Sequence, residues 1–179
     1  MTIGFIASGK STLANRLQKD LSINNIDGDT FRSFIKESIP YYNDLDISYP
    51  NPKAKDISFL TNIYRRNICR KLLEKGQPVI HSGNNLSRET RKAIISDVTM
   101  SSPDTQIIFI ELCIEESELI ERLRARDQDN PGNRWVKHYN DIKKKEYQPP
   151  LEKECDNLLH YKQDNYIEIR DFIKSILSN

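Results

Sequence analysis

No stretch of the 179-residue chain approaches 18 consecutive apolar residues, so no membrane-spanning helix is expected. Cysteine is scarce: Cys69, Cys113 and Cys155 lie far apart, odd in number and without CxxC spacing. That argues against a disulfide framework or a zinc site, and each cysteine reads as a small buried hydrophobe. Met1-Thr2-Ile3-Gly4 has neither the basic start nor the apolar stretch of a secretory signal. With thiols kept apart, the expected location is a reducing cytoplasm. Neither sign of charge dominates, since 27 Lys and Arg against 26 Asp and Glu leave a net +1. A general nucleic-acid-coating protein, which would be clearly basic, finds no support there. Internal repeats and low-complexity linkers are also missing, so residues 1–179 are expected to form one domain, long enough to bury a core unaided.

Apolar runs alternate with helical patterns, the arrangement of an α/β domain. Strands are expected at Thr2–Ile6, Ile23–Ile26, Pro78–Ser82, Gln106–Leu112 and Cys155–Leu159. Helices are expected at Lys10–Leu21, Asp56–Lys75 with Gly76 as its stop, Arg88–Met100, Glu115–Arg126, Trp135–Tyr147 and Tyr166–Leu177. Residues 39–53 show no period and carry Pro40, Pro50 and Pro52, which reads as a loop; 127–133 is a polar break. The expected fold is a three-layer sandwich of the P-loop type, with a mostly parallel five-stranded sheet and a helical lid around residues 122–148.

Gly4-Phe5-Ile6-Ala7-Ser8-Gly9-Lys10-Ser11-Thr12 fits G-x-x-x-x-G-K-[ST] at every fixed position, between an expected strand and an expected helix. Backbone N–H groups from Gly4, Ala7, Ser8 and Gly9 onward can turn toward a phosphate, and a bulky side chain at Gly9 would block the approach. Lys10 would bridge the β- and γ-oxygens of ATP, the Ser11 hydroxyl would hold Mg²⁺, and the helix N-terminus from Ser11 and Thr12 adds partial positive charge. Only three residues precede Gly4, fewer than a central strand usually spans, so either upstream residues are absent or the first strand is short.

No N-K-x-D run for guanine exists, and Asp129-Asn130-Pro131-Gly132, which fits D-x-x-G, reads as a turn. More telling is Asp27-Gly28-Asp29-Thr30-Phe31-Arg32, placed just after the second strand, on the edge where open α/β sheets bind ligands. If a helix starts at Thr30, Asp29 and Arg32 face one point: a base for an acceptor hydroxyl and a holder for an anion. An ordinary Asp cap beside an exposed Arg is the plainer alternative.

The phosphate loop together with Asp-Gly-Asp-x-x-Arg resembles adenylylsulfate kinase, whose relatives include polynucleotide 5′-hydroxyl kinases. The resemblance extends over most of the chain, Asn62–Leu86 included. It implies Asp29 as base, Arg32 as binder of the acceptor's anion and Asp27 as a supporting or metal-water contact. The chain departs from that family after the third strand. There Gly83-Asn84-Asn85-Leu86 followed by Arg88 and Arg91 is more similar to the polynucleotide-kinase pattern, although the Asp of that pattern is Gly83. A Lys-Gly-Leu-Tyr lid motif is absent. Asn84, Asn85 and Arg91 are therefore expected on the acceptor side.

Arg122, Arg124 and Arg126 lie on one expected helix, and the i,i+4 pair Arg122 and Arg126 shares a face that can reach the nucleotide. Arg126 is the first candidate to meet the transferring phosphate and Arg122 to hold ATP; a solvated face paired with Glu118 and Glu121 is the alternative. Lys137 and Lys143-Lys144-Lys145 could touch a nucleic acid backbone or form the wet side of a helix. Phe34, Tyr41, Tyr42 and Trp135 are candidates to stack on a base, or to pack. His81, His138 and His160 show no ligand spacing, and His81 reads as a supporting group rather than a base.

The expectation is an ATP- and Mg²⁺-dependent transfer to a hydroxyl of a small anionic nucleotide-like acceptor, adenylyl sulfate or another conjugate such as cytidine diphosphoramidate. A polynucleotide 5′-hydroxyl kinase is the alternative within the class, and a nucleotide-binding regulator without turnover the alternative outside it. No membrane partner is expected, and the oligomeric state is left open, a homodimer included.

Overall fold

The computed structural model describes residues 1–43, 55–129 and 134–178. Five parallel strands, β1 (Thr2–Ile3), β2 (Asn24–Asp27), β3 (Val79–Ser82), β4 (Ile108–Leu112) and β5 (Asn157–Tyr161), carry the architecture. The helices are α1 (Lys10–Leu21), α2 (Gly28–Ser38), α3 (Pro40–Asn43), α4 (Lys55–Leu73), α5 (Arg88–Ser101), α6 (Glu116–Asp129), α7 (Trp135–Lys145) and α8 (Tyr166–Leu177). Helices α1 and α8 match their expected bounds; the first strand is shorter than expected, and α6 runs on through the expected break as far as Asp129. Residues 44–53 of the expected loop and 130–133 of the polar break lie outside the described residues, whereas Pro40–Asn43 form a helical turn.

The expected single ladder of five strands is corrected. Backbone ladders join β1, β4 and β5, and separately β2 and β3. With two residues, β1 is too short to pair on both sides. The seam between β1 and β3 is bridged instead by Gly4 N–H donating to the Asn84 carbonyl (3.1 Å) and Asn85 Nδ2 donating to the Thr2 carbonyl (2.8 Å).

Alternation along the strands makes the layers, because successive side chains point to opposite faces. Ile80 and Ile110 join Leu13 and Leu17 of α1 and Ile169 and Ile173 of α8 in one buried cluster. On the other face His81 meets Arg65 of α4, and Phe109 lies beneath Arg91 of α5. A satellite cluster of Leu119, Leu123 and Tyr139 packs on Phe5 and Ile6, so α6 and α7 sit directly on the phosphate loop.

Local chemistry sets the boundaries. Helix α4 ends in a Schellman motif: Gln77 N–H reaches the Leu72 carbonyl, Gly76 N–H reaches Leu73, and Gly76 takes φ 68°. Ser87 caps α5 by accepting from Thr90 N–H. Of the three cysteines only Cys69 is buried; Cys113 is exposed and Cys155 half-buried, which corrects the expectation for those two. None of the described helices is long and apolar enough to cross a membrane.

Candidate active site

Because every strand pair is parallel, the loops after β1, β2, β3 and β4 all open on one edge of the sheet. The loop after β1 runs from Gly4 to Gly9 and delivers the chain into α1. Its backbone is bent inward at two points, Ala7 with φ 65° and Gly9 with φ 99°. A Cβ on Gly4 would stand 2.8 Å from Ser8 Oγ and 3.2 Å from Leu112 Cβ, so the loop is drawn tight against β4.

Helix α1 receives no side-chain cap from Gly9, which leaves its first-turn N–H groups facing the loop. Ser8 Oγ is buried without a partner, and Lys10 Nζ folds back onto the Phe5 carbonyl. Burial pushes the Lys10 ammonium down to about 8; Arg126 adds to that shift, while Asp29 and Asp27 oppose it. An uncapped helix start, an orphaned hydroxyl and a lysine that a nearby anion would recharge all fit a nucleotide's phosphates. Ser11 and Thr12, exposed in the first turn, offer hydroxyls of the kind that hold Mg²⁺.

Lys10 of α1 thus feels the charges of both Asp29 on α2 and Arg126 on α6. Arg122 lies closer to the loop: Nη1 donates to the Ala7 carbonyl at 3.2 Å, and Nη2 pairs with Glu118 at 2.6 Å. The guanidinium therefore touches the phosphate loop and pairs along its own helix at once.

On the facing side, α2 begins at Gly28 rather than Thr30, because Asp27 is its cap. One carboxylate oxygen accepts from Asp29 N–H (3.1 Å), Thr30 N–H (3.0 Å) and Thr30 Oγ1 (3.2 Å). Asp29 and Arg32 pair at 2.5 Å as i,i+3 neighbours, Asp29 with 81% of its side chain exposed. After β3, Asn84 is exposed, whereas Asn85 is buried with φ 48° and its amide committed to Thr2.

Arg91 is a correction. Its side chain is 0% exposed, Nε and Nη2 grip Glu154, and Nη1 donates to the carbonyls of Asn85, Leu86 and Gln148. Its donors are taken up in fastening the loop after β3 to the segment before β5, so no fork remains for an acceptor.

Sequence reasoning missed Arg65. Its guanidinium lies between Gly28 and Gly83, each of which would bring a Cβ to 3.2 Å from it. One Nη donates to the carbonyls of Ile26 (3.2 Å) and Ser82 and approaches His81 Nδ1 at 3.4 Å, while the buried Nε has no partner. Burial lowers it to about 10, with Asp27 pulling the other way and Arg32 adding to the shift. His81, buried beside it, is held neutral, its pKa pushed well below the usual imidazole value by burial and by that guanidinium. The signal available was the meeting of Gly28 and Gly83 opposite a helix of expected period, since two glycines facing one side chain mark a close approach. Tyr41 and Tyr42 stack edge to face 5.0 Å apart, and Phe34 is exposed on α2. Trp135 packs into the satellite cluster, and Lys143 is tied to Glu116 at 2.6 Å.

A parallel α/β sandwich with a phosphate loop between its first strand and first helix is a P-loop kinase-type domain. The chain belongs to the AAA domain family AAA_33, matched over residues 1–149. The 6-phosphofructo-2-kinase 1 of Saccharomyces cerevisiae is 27% identical over 132 residues, which amount to 67% of this chain and 16% of that protein. The chain therefore spans only a small part of that relative's length. Among solved structures, a Chloroflexus aurantiacus protein held to be a kinase superposes with a TM-score of 0.77 at 18% identity, over 99% of this chain and 93% of that one. Mycobacterium tuberculosis APS kinase, solved with AMPPNP and APS, reaches 0.58 at 16% identity, over 99% and 95%. These two likenesses concern the fold.

Proposed function

We propose that the chain is one kinase domain that transfers the γ-phosphate of ATP to a hydroxyl of a small anionic acceptor, nucleotide conjugates of the adenylyl sulfate kind first. The observation that carries this reading is a buried Lys10 at the phosphate loop whose charge responds both to Asp29 and to Arg126. Lys10 and the loop amides hold the β- and γ-phosphates, and Asp29 accepts the hydroxyl proton as the oxygen attacks. Arg126, on a lid of about residues 122–148, meets the charge spreading over the equatorial oxygens. Arg122 steadies the loop and the nucleotide. Mg²⁺, held through Ser11, would neutralise charge between the phosphates.

On the acceptor side Arg32 and Arg65 supply cationic groups for the anion, with exposed Asn84 at the rim. A guanidinium buried without a carboxylate is costly unless an anion completes it. A sugar-phosphate acceptor is a second reading, favoured by the likeness to the 6-phosphofructo-2-kinase 1 of Saccharomyces cerevisiae.

The test is ATP consumption with Mg²⁺ against adenylyl sulfate, a cytidine diphosphate conjugate, fructose 6-phosphate and a 5′-hydroxyl oligonucleotide. Turnover on a small anionic acceptor is expected, lowered at least ~10²-fold by Lys10→Ala and about 10² to 10⁴-fold by Asp29→Asn. Oligonucleotide turnover alone would move the chain to nucleic-acid work. ATP binding with no transfer to any acceptor would leave a regulator. A fully active Asp29→Asn variant sinks the proposed base.

A further inference from the structure

On the sheet face away from α1 and α8, beyond the phosphate loop, strand pairing gathers three metal-ligating side chains that linear spacing hides. Glu111 and Cys113 are two apart along β4 and its exit, hence on one side of the strand. The parallel register sets His160 of β5 directly opposite Glu111. His160 Nδ1 lies 3.1 Å from Glu111 Oε2 and 3.7 Å from Cys113 Sγ, and one donor atom from each residue falls within 4.8 Å of the others.

The two distances from His160 Nδ1, 3.1 and 3.7 Å, lie close on either side of the edges of a tetrahedron. With bonds of about 2.0–2.1 Å to nitrogen and oxygen and about 2.3 Å to sulfur, tetrahedral angles set neighbouring donors roughly 3.3–3.6 Å apart. The carboxylate is already oriented: Tyr147 OH donates to Glu111 Oε1 at 2.7 Å, which leaves Oε2 turned toward His160. A ligating carboxylate held by an outer hydrogen bond is the usual support of a built metal site.

We propose that Glu111, Cys113 and His160 form a three-donor site for a borderline-soft divalent transition metal ion, zinc fitting best. A thiolate and an imidazole select against Mg²⁺, which prefers oxygen ligands, so the site is chemically separate from Ser11. On binding, the sulfur gives an electron pair to the metal and its thiol proton leaves to solvent. His160 binds through Nδ1 with its ring proton on Nε2, and Glu111 binds through Oε2. Three protein donors leave a fourth position open to water. The site also touches the nucleotide machinery, because Tyr147, which steadies Glu111, packs on Phe5 of the phosphate loop with ring centroids 4.9 Å apart.

Titrating reduced, metal-stripped protein with Co²⁺ alone tests this. A saturable thiolate-to-cobalt charge-transfer band with the visible bands of tetrahedral cobalt is expected. Cys113→Ser should abolish the charge-transfer band, while Cys69→Ser and Cys155→Ser keep it. His160→Gln should weaken binding at least about tenfold, and Tyr147→Phe about tenfold through loss of the outer hydrogen bond. Zn²⁺ should displace the cobalt, and excess Mg²⁺ should not. Cys113 and His160 are exposed, so their variants are expected to keep the wild-type circular dichroism spectrum. Absence of the band, its survival in Cys113→Ser or its displacement by Mg²⁺ overturns the proposal.

Discussion

The phosphate loop and the acceptor edge share one rim of the sheet but spend their polar groups in opposite ways. Around the loop, binding groups are left over: α1 is uncapped, Ser8 Oγ has no partner, and Lys10 bonds only to a backbone carbonyl of its own loop. Across the rim, residues that look like ligands are already committed. Asp27 caps α2, Asn85 ties the loop after β3 to β1, and Arg91 fastens that loop to Glu154. An anion-binding surface is therefore better recognised by what its donors lack than by residue type. Arg65, with an orphaned buried Nε between two glycines, meets that test better than Arg91 does.

The sharpest way to break this contrast is Arg91→Met. It leaves the Glu154 carboxylate, 5% exposed, with only the part-exposed Arg88 at 2.9 Å, and it frees the carbonyls that Arg91 held. An unpaired buried charge typically costs about 3–5 kcal/mol, and Arg88 should keep the loss toward or below the low end of that. Urea denaturation should register that loss, while residual folded enzyme at low temperature keeps the wild-type acceptor KM. A variant of normal stability with a raised KM would return Arg91 to the acceptor. Arg91→Lys separates charge from geometry: it keeps the cation but not the planar fork, and should still destabilise.

A smaller effect tests the donor side. In the ligand-free protein Lys10 sits at about 8, and a phosphate stabilises only its protonated form. Raising pH through 8 therefore requires a proton to be taken up on binding. Affinity for a non-hydrolysable ATP analogue should be level below pH 8 and fall by up to about tenfold per unit above it, or about 1.4 kcal/mol per unit. Calorimetry between pH 7.5 and 9.5, where the phosphates stay ionised, reads this. A flat profile would mean that Lys10 is charged throughout and that burial does not tune it.

The two regions also differed in how far sequence could read them. The loop is a contiguous motif whose residues act through their own backbone, so Gly4 to Thr12 were legible together with the strand and helix around them. Helix ends were equally local, as Gly76 shows with its left-handed turn after α4. Acceptor-side roles depend on partners far along the chain: Arg91 with Glu154 are 63 residues apart, and Arg65 with Ile26 are 39 apart. Nothing within a window of one turn reports such pairing. The split of the sheet was hidden for a related reason, since β1 has only two residues and forms a ladder with β4 alone, which leaves β3 paired with β2 but not with β1.

The smallest effect bears on the residue where the two regions meet. Asp27 adds to the positive character of Lys10 and Arg65 through its charge, yet its Oδ2 is engaged with the first turn of α2. Removing a helix cap costs about 1 kcal/mol, so Asp27→Ala should lower stability by that much with a modest loss of activity. Asn caps as well as Asp, so Asp27→Asn should restore the stability without restoring the charge. If its turnover equals wild type, Asp27 serves the fold, and the proton-accepting duty rests on Asp29 alone. Loss of 10²-fold or more in a stable Asp27→Asn protein would instead make its carboxylate part of the transfer, and the acceptor edge would then be less committed than its hydrogen bonds suggest.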